Sequence, residues 1–231
     1  PDMTTEETKA ENKEKNKQRT IGLALCVGCI FLGSCAENTM SNWISTYMEN
    51  ALNIDKALGD ILGMAMFAIL LGITRITYAK YGKNISKFLL ISMICAALCY
   101  LTVSFSNNTI LSFVGCILTG IFTSMLWPGT LILMEEKVKG VGVAAYALMA
   151  SAGDFGASLA PQLMGIVIDN VSVSKFALNL SATLNLTPEQ IGLKTGMLIT
   201  SIFPILGTIL MVFIIKYFKK QHKIKLNKKR L

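Results

Sequence analysis

The sequence predicts an all-α membrane protein with six transmembrane helices, and three observations carry that prediction. First, 52% of the 231 residues are hydrophobic, only 16% are charged and the mean hydropathy is +0.53, the balance of a chain that lives in lipid. Second, six apolar runs are each long enough to cross a hydrocarbon core of roughly 30 Å, which takes about 20 residues in a helix. Third, none of these runs shows the strict alternation of a barrel strand, and all exceed the roughly 10 residues such a strand needs. Helices and closed barrels are the only structures that satisfy every backbone polar group in lipid, so the reading is all-α.

The chain opens PDMTTEETKAENKEKNKQR, with five acidic and five basic residues and no apolar run. Residues 1–19 are therefore read as the tail of a charged cytoplasmic linker, neither signal peptide nor folded domain. The absence of an initial methionine suggests that something precedes it. The six-helix region, residues 20–217, begins with the run Ile21 to Tyr47. There Glu37, Asn38, Ser41, Asn42 and Ser45 fall within an arc of about 140° at 100° per residue, a polar stripe that lipid does not tolerate. Trp43 and Tyr47 lie on another face and suit packing or interface anchoring.

The second run, Leu58 to Ala79, leads into GITRITYAKYGK, and the third spans Lys87 to Phe105. In the fourth, Thr109 to Met134, the residues Thr119, Thr123, Trp127 and Thr130 follow helical spacing, and Pro128 can bend the helix beside them. The fifth run, Val141 to Ile168, holds 28 residues with Asp154 as its one charge, in SAGDFGASLAPQLMG. The loop from Asp169 to Lys194 contains Thr187-Pro188-Glu189-Gln190, an N-cap with proline at the first helical position and glutamine at the third, so a short helix is expected there. Its three N-x-S/T sequons, at Asn170, Asn179 and Asn185, are read as chance. The sixth run, Thr195 to Tyr217, carries Pro204 as an expected kink, and residues 218–231 form a basic cytoplasmic tail. The third and sixth runs hold no acid or amide and are read as peripheral.

Charge sets the orientation. Of 22 lysines and arginines, 19 lie in the first 19 residues, around the second-to-third and fourth-to-fifth connections, and from Lys216 onward. Only Lys56, Lys175 and Lys194 lie on the other side. Positive loops stay cytoplasmic, which puts both termini inside a multi-pass protein of the cell membrane. The formal net charge of +8 is then explained by loops and tail against anionic lipid, and nucleic acid is not an expected partner.

Chemistry is narrowed by what the runs contain. Cys26 and Cys29 form a C-x-x-C inside a span with no second pair, and packing is the better reading. The one histidine, His222, lies in the tail, so no metal site, cofactor or catalytic residue is assigned and no enzyme is expected. Asp154 lies 14 residues beyond Gly140 and Glu37 17 beyond Thr20, about 21 and 25 Å along their helices. An acid near the midplane costs on the order of 2.5–3.5 kcal/mol on insertion scales and usually serves a function. No basic group is expected at that depth to pair with either.

GSCAENTMSNWISTYM, GITRITYAKYGK, GIFTSMLWPG and GDFGASLAPQLMG, in that order on six spans, resemble the C-terminal six-helix half of the major facilitator superfamily, near its fucose-permease-like sugar branch. The resemblance implies a nested 3+3 inverted repeat and a partner N-terminal half. It also implies alternating access around a midplane site, for a small polar solute such as a sugar, with proton coupling. On that basis Glu37, Asn38, Asn42, Thr123, Trp127 and Asp154 are expected to bind substrate, and Glu37 and Asp154 to carry the proton. Gly72, Arg75, Lys80, Gly82 and Lys83 match the cytoplasmic gate signature, although Ala79 stands where that signature usually has an acid. A second class stays open: a scaffold or receptor that keeps the fold without transporting.

Overall fold

The computed structural model describes residues 5–228, and among them there are six helical spans and no strand. The spans run Asn12–Ala51, Lys56–Tyr81, Ile85–Phe105, Thr109–Lys137, Val143–Ser172 and Pro188–Gln221, and are numbered 1 to 6 below. Each contains its expected run except the fifth, whose helix starts at Val143, two residues after the expected Val141. The charged opening does not end where the apolar residues begin: one helix, α1, continues from Thr5 to Thr46. Lys and Glu residues favour a helix once an adjoining segment has nucleated it. Likewise the last helix reaches Lys228. The extremes of the linker and tail, residues 1–4 and 229–231, lie outside the described residues.

Prolines and caps divide the longer spans. Span 4 breaks at Ser124–Met125 between Thr109–Thr123 and Leu126–Lys137, because Pro128 has no N–H for the carbonyl four residues back. Span 6 breaks at Ser201, three residues before Pro204. The loop after span 5 holds a short helix, Lys175–Leu184, and then the helix Pro188–Thr200 that opens span 6. At its start the Thr187 hydroxyl accepts from the Gln190 backbone N–H at 3.2 Å, and Gln190 Oε1 accepts from the Thr187 N–H at 3.0 Å.

Packing centres on span 1. Span 1 lies along span 5, as span 4 lies along span 2; span 6 packs on span 1, as span 3 packs on span 4. Exchanging spans 1–3 for spans 4–6 maps each of these pairs onto its counterpart, which is the arrangement a 3+3 repeat requires. Small residues let backbones approach: Gly156 faces the Phe31 carbonyl and Cys35, and Gly120 faces the Phe67 backbone. Tyr100 and Tyr47, both fully buried, donate 2.7 Å hydrogen bonds to the carbonyls of Ala36 and Val103. Span 3, with ten buried residues, is thus a well-covered member of the bundle. Spans 2 and 5 are the least covered.

Candidate functional site

The polar stripe of span 1 meets span 2. Glu37 Oε1 accepts from Arg75 Nη2 at 3.0 Å, and the Glu37 side chain is 16% exposed. This corrects the expectation that no base lies at the depth of Glu37. Arg75 sits six residues before the end of the helix Met66–Tyr81, about 9 Å inside it, and the long side chain reaches across to span 1. One turn or more further along, Ser45 hydrogen-bonds the Asp60 carboxylate, so a second polar link joins the same two spans. Span 1 ends in a π-helical turn at Tyr47–Ala51, and span 2 holds another near its start at Gly59–Ala65.

Arg75 does a second thing. Its Nε donates to the Ser124 carbonyl at 2.8 Å. Ser124 is four residues before Pro128 and fully buried, so its carbonyl has lost the intrahelical donor that any other residue at 128 would supply. The guanidinium therefore supplies the missing donor of span 4 and the counter-charge of span 1 at once. A fixed planar fork of donors suits that double duty; a lysine ammonium does not. Glu37 Oε2 remains buried with no hydrogen-bond partner.

Trp127, one residue before that proline, packs against span 5. A methyl group at Gly153 would overlap the indole nitrogen, so only glycine lets Trp127 occupy this place. Next to it, Asp154 is exposed from the bundle. Its neighbours on the same helical face are Ser158, Pro161 and Gly165, four, seven and eleven residues on. These three line a 590 Å³ cleft between spans 1 and 5, with Asn42, Trp43, Gln162 and Asp169. Trp43 Nε1 donates to the Pro161 carbonyl at 3.1 Å across that seam. Phe31 and Phe155 stack below it with centroids 6.0 Å apart.

The other expected site residues divide. Asn42 borders the cleft, its amide nitrogen donating to the Asn38 carbonyl at 2.7 Å. Asn38 donates back to the Ser34 carbonyl at 3.0 Å. Thr123 does not belong in the site. It is fully buried in the bundle, as are Thr119 and Thr130, and each hydroxyl is used by the backbone carbonyl four residues earlier. A threonine stripe at helical spacing marks a buried face as readily as a cavity face. At the end of span 2, Gly82 caps the helix, Lys80 lies 5.2 Å from the Tyr81 ring centroid and Lys83 is exposed, while a Cβ at Gly72 would meet open space.

Ser158, Gln162, Asp169 and Asp60 had not been singled out from the sequence. For the first two the signal was present, since they share the helical face of Asp154. For the Ser124 carbonyl the signal was Pro128 itself.

The Major Facilitator Superfamily family model matches residues 4–161. No curated protein and no solved structure matches the chain. The chain belongs to the major facilitator superfamily, a family of membrane transporters, and its six spans fit one six-helix half of that fold.

Proposed function

We propose that this multi-pass membrane chain is the C-terminal half of a secondary active transporter that moves a small polar solute, of the sugar class, across the cell membrane by alternating access with proton coupling. The observation that carries the reading is the cleft between spans 1 and 5. Asn42, Ser158, Gln162 and Asp169 give it amides, a hydroxyl and a carboxylate, and Trp43 gives it an aromatic wall. That combination suits a polyhydroxylated solute, which needs several hydrogen bonds and a flat apolar surface for its ring.

An exposed polar face in the middle of an apolar span argues for cover other than lipid. Asp154 and Ser158 lie on that face. Span 2, the other poorly covered span, exposes Ile69 (53%), Ile73 (53%) and Ile76 (72%). A second six-span half closing over spans 2 and 5 would shield the apolar stripe and enclose the polar cleft as an aqueous cavity. The excess of basic residues near both ends of the chain supports cytoplasmic termini.

Coupling runs through Glu37. While ionised it holds Arg75, and Arg75 holds the Ser124 carbonyl at the break in span 4. Protonation removes the charge that holds the guanidinium to span 1 and leaves it on span 4 alone, which frees span 2 to shift relative to span 1. The unpartnered Glu37 Oε2 is the acceptor open to the incoming proton. Asp154, at the foot of the cleft, is the second proton or substrate ligand. Gly72, Lys80, Gly82 and Lys83 form the cytoplasmic gate, with Arg75 serving the internal link as well.

The test is uptake by vesicles containing the transporter that includes this chain, using a labelled panel of hexoses, polyols, amino acids and organic anions under an imposed proton gradient. Gradient-dependent accumulation of a polyhydroxylated solute supports the reading. Accumulation only of another class overturns the sugar assignment. No transport of any panel member by well-folded protein favours the scaffold or receptor.

A further inference from the structure

We propose that the end of the bundle carrying both described terminal segments holds a site for a phosphorylated polyol, either the headgroup of a membrane lipid or its soluble counterpart. The inference does not rest on the transported solute. Two adjoining cavities, of 320 and 530 Å³, open on the turn joining spans 4 and 5 and the end of span 6, the first bordered also by the start of span 1 and the second by the start of span 3. They share Lys137, Lys139, Phe218 and Gln221; Lys15 and Arg19 line the first, and Lys87 and Lys219 line the second. Among the described lining residues Glu136 is the one acid, 3.6 Å from Lys137. Six cations from four elements therefore converge on one concave surface at the ends of the spans.

The walls are packed structure, and the part of the expected tail that lines them, Phe218 to Gln221, continues the last helix. Gly140 adopts φ +73, a left-handed conformation that costs a residue with a Cβ, and this turn brings Lys139 back over α1. A methyl at Gly140 would come within 4.0 Å of Arg19 Nη1. Gly22 lies where a Cβ would press on Val138 at 3.1 Å and Phe218 at 3.3 Å, so span 1, the turn and span 6 are closely seated. The Tyr217 hydroxyl donates to the Gln18 carbonyl at 3.2 Å.

A second feature specifies the ligand. Gln221, which lines both cavities, has its Oε1 buried with no hydrogen-bond donor. A fully ionised phosphate group brings only acceptors, so it meets the cations and leaves the Gln221 carbonyl oxygen without a donor. A polyol that carries phosphates brings both: its phosphates meet the lysines and Arg19, and a ring hydroxyl donates to Gln221. Basic pockets between spans at a membrane surface recognise phosphorylated headgroups in this way.

The experiment uses the full chain in phosphatidylcholine nanodiscs. Binding is titrated with a short-chain phosphatidylinositol bisphosphate, with soluble inositol trisphosphate, and with phosphatidylserine supplied at equal total charge. The proposal expects saturable binding of the inositol probes, at least about tenfold tighter than phosphatidylserine. The variant Arg19→Ala/Lys137→Ala/Lys139→Ala should weaken that binding about tenfold or more, whereas Lys220→Ala/Lys223→Ala, exposed and outside both cavities, should leave it unchanged. Gln221→Leu, a conservative change in size, should erase the preference over phosphatidylserine while keeping the charge-driven part, and it stands as the test should the triple variant fail to fold. Displacement of the lipid by inositol trisphosphate would show that the headgroup alone fills the site; retention of the lipid against it would show that the lipid is the occupant. Equal binding of inositol lipid and phosphatidylserine, or equal losses from the Lys220/Lys223 and pocket variants, would overturn the proposal.

Discussion

Replacing Arg75 by alanine removes two bonds at once, and the structure separates their costs. The Ser124 carbonyl, fully buried, would lose its donor at 2.8 Å, a loss of about 1–3 kcal/mol for an orphaned buried acceptor. Glu37 would lose its partner at 3.0 Å. Breaking a buried pair costs about 3–5 kcal/mol. Here the Arg75 side chain is 41% exposed, so solvent supplies part of the lost interaction and the effect falls well below that range. Arg75→Ala should therefore lower stability by about 2–4 kcal/mol in all, with the carbonyl giving the larger part. The two parts are distinguishable because their causes lie at different residues. Restoring an N–H at position 128 with Pro128→Ala gives Ser124 an intrahelical partner again. In the Arg75→Ala background that change should recover about 1–2 kcal/mol that it does not yield in the wild type. The assay is a double-mutant cycle over positions 75 and 128, read by reversible unfolding in mixed micelles. Costs that add to within about 0.5 kcal/mol would mean the two positions are independent, and the account of Arg75 as the donor for the broken helix would fail.

Other perturbations test neighbouring parts of the structure. Gly153→Ala would force Trp127 from its place on span 5, with an expected cost of about 1–3 kcal/mol for overpacking; in a Trp43→Phe background, unchanged Trp127 fluorescence would contradict the contact. Gln190→Ala removes one arm of the capping box before span 6 and should cost about 0.5–2 kcal/mol in thermal or denaturant unfolding; a neutral result would show that the cap is dispensable. Cysteines placed at Thr183 and Lys223, both exposed, test orientation: an impermeant thiol reagent added to intact cells should label position 183 directly and position 223 only after permeabilisation. The opposite pattern would invert every span.

The sequence made the six spans legible because length and hydropathy are properties of each segment alone. The same holds for the Thr187–Gln190 cap and for the breaks near Pro128 and Pro204, where local chemistry dictates the backbone. Pairing between spans is different, because it depends on how far each helix is rotated and how deep it sits. Arg75 was read with the loop lysines that follow it, yet an arginine about 9 Å inside a helix reaches a neighbouring span and pairs with Glu37. Thr123 shows the reverse error. Its periodicity was legible, but periodicity marks a face without saying whether water, solute or another helix covers it. Asp60 lies near the loop between spans 1 and 2, and only the fold brings it to Ser45.

The central claim is that Glu37, held by Arg75, carries the coupling proton, with Asp154 as the second acid at the foot of the cleft. The most direct measurement sets Glu37→Gln and Asp154→Asn singly in the complete transporter and compares proton-driven accumulation of the solute with energy-independent exchange. Glutamine keeps a hydrogen bond to Arg75 but cannot release a proton, so the account predicts that Glu37→Gln abolishes accumulation and retains exchange. Asp154→Asn should weaken solute binding or reduce accumulation. Normal gradient-driven accumulation by the Glu37→Gln protein would contradict the account.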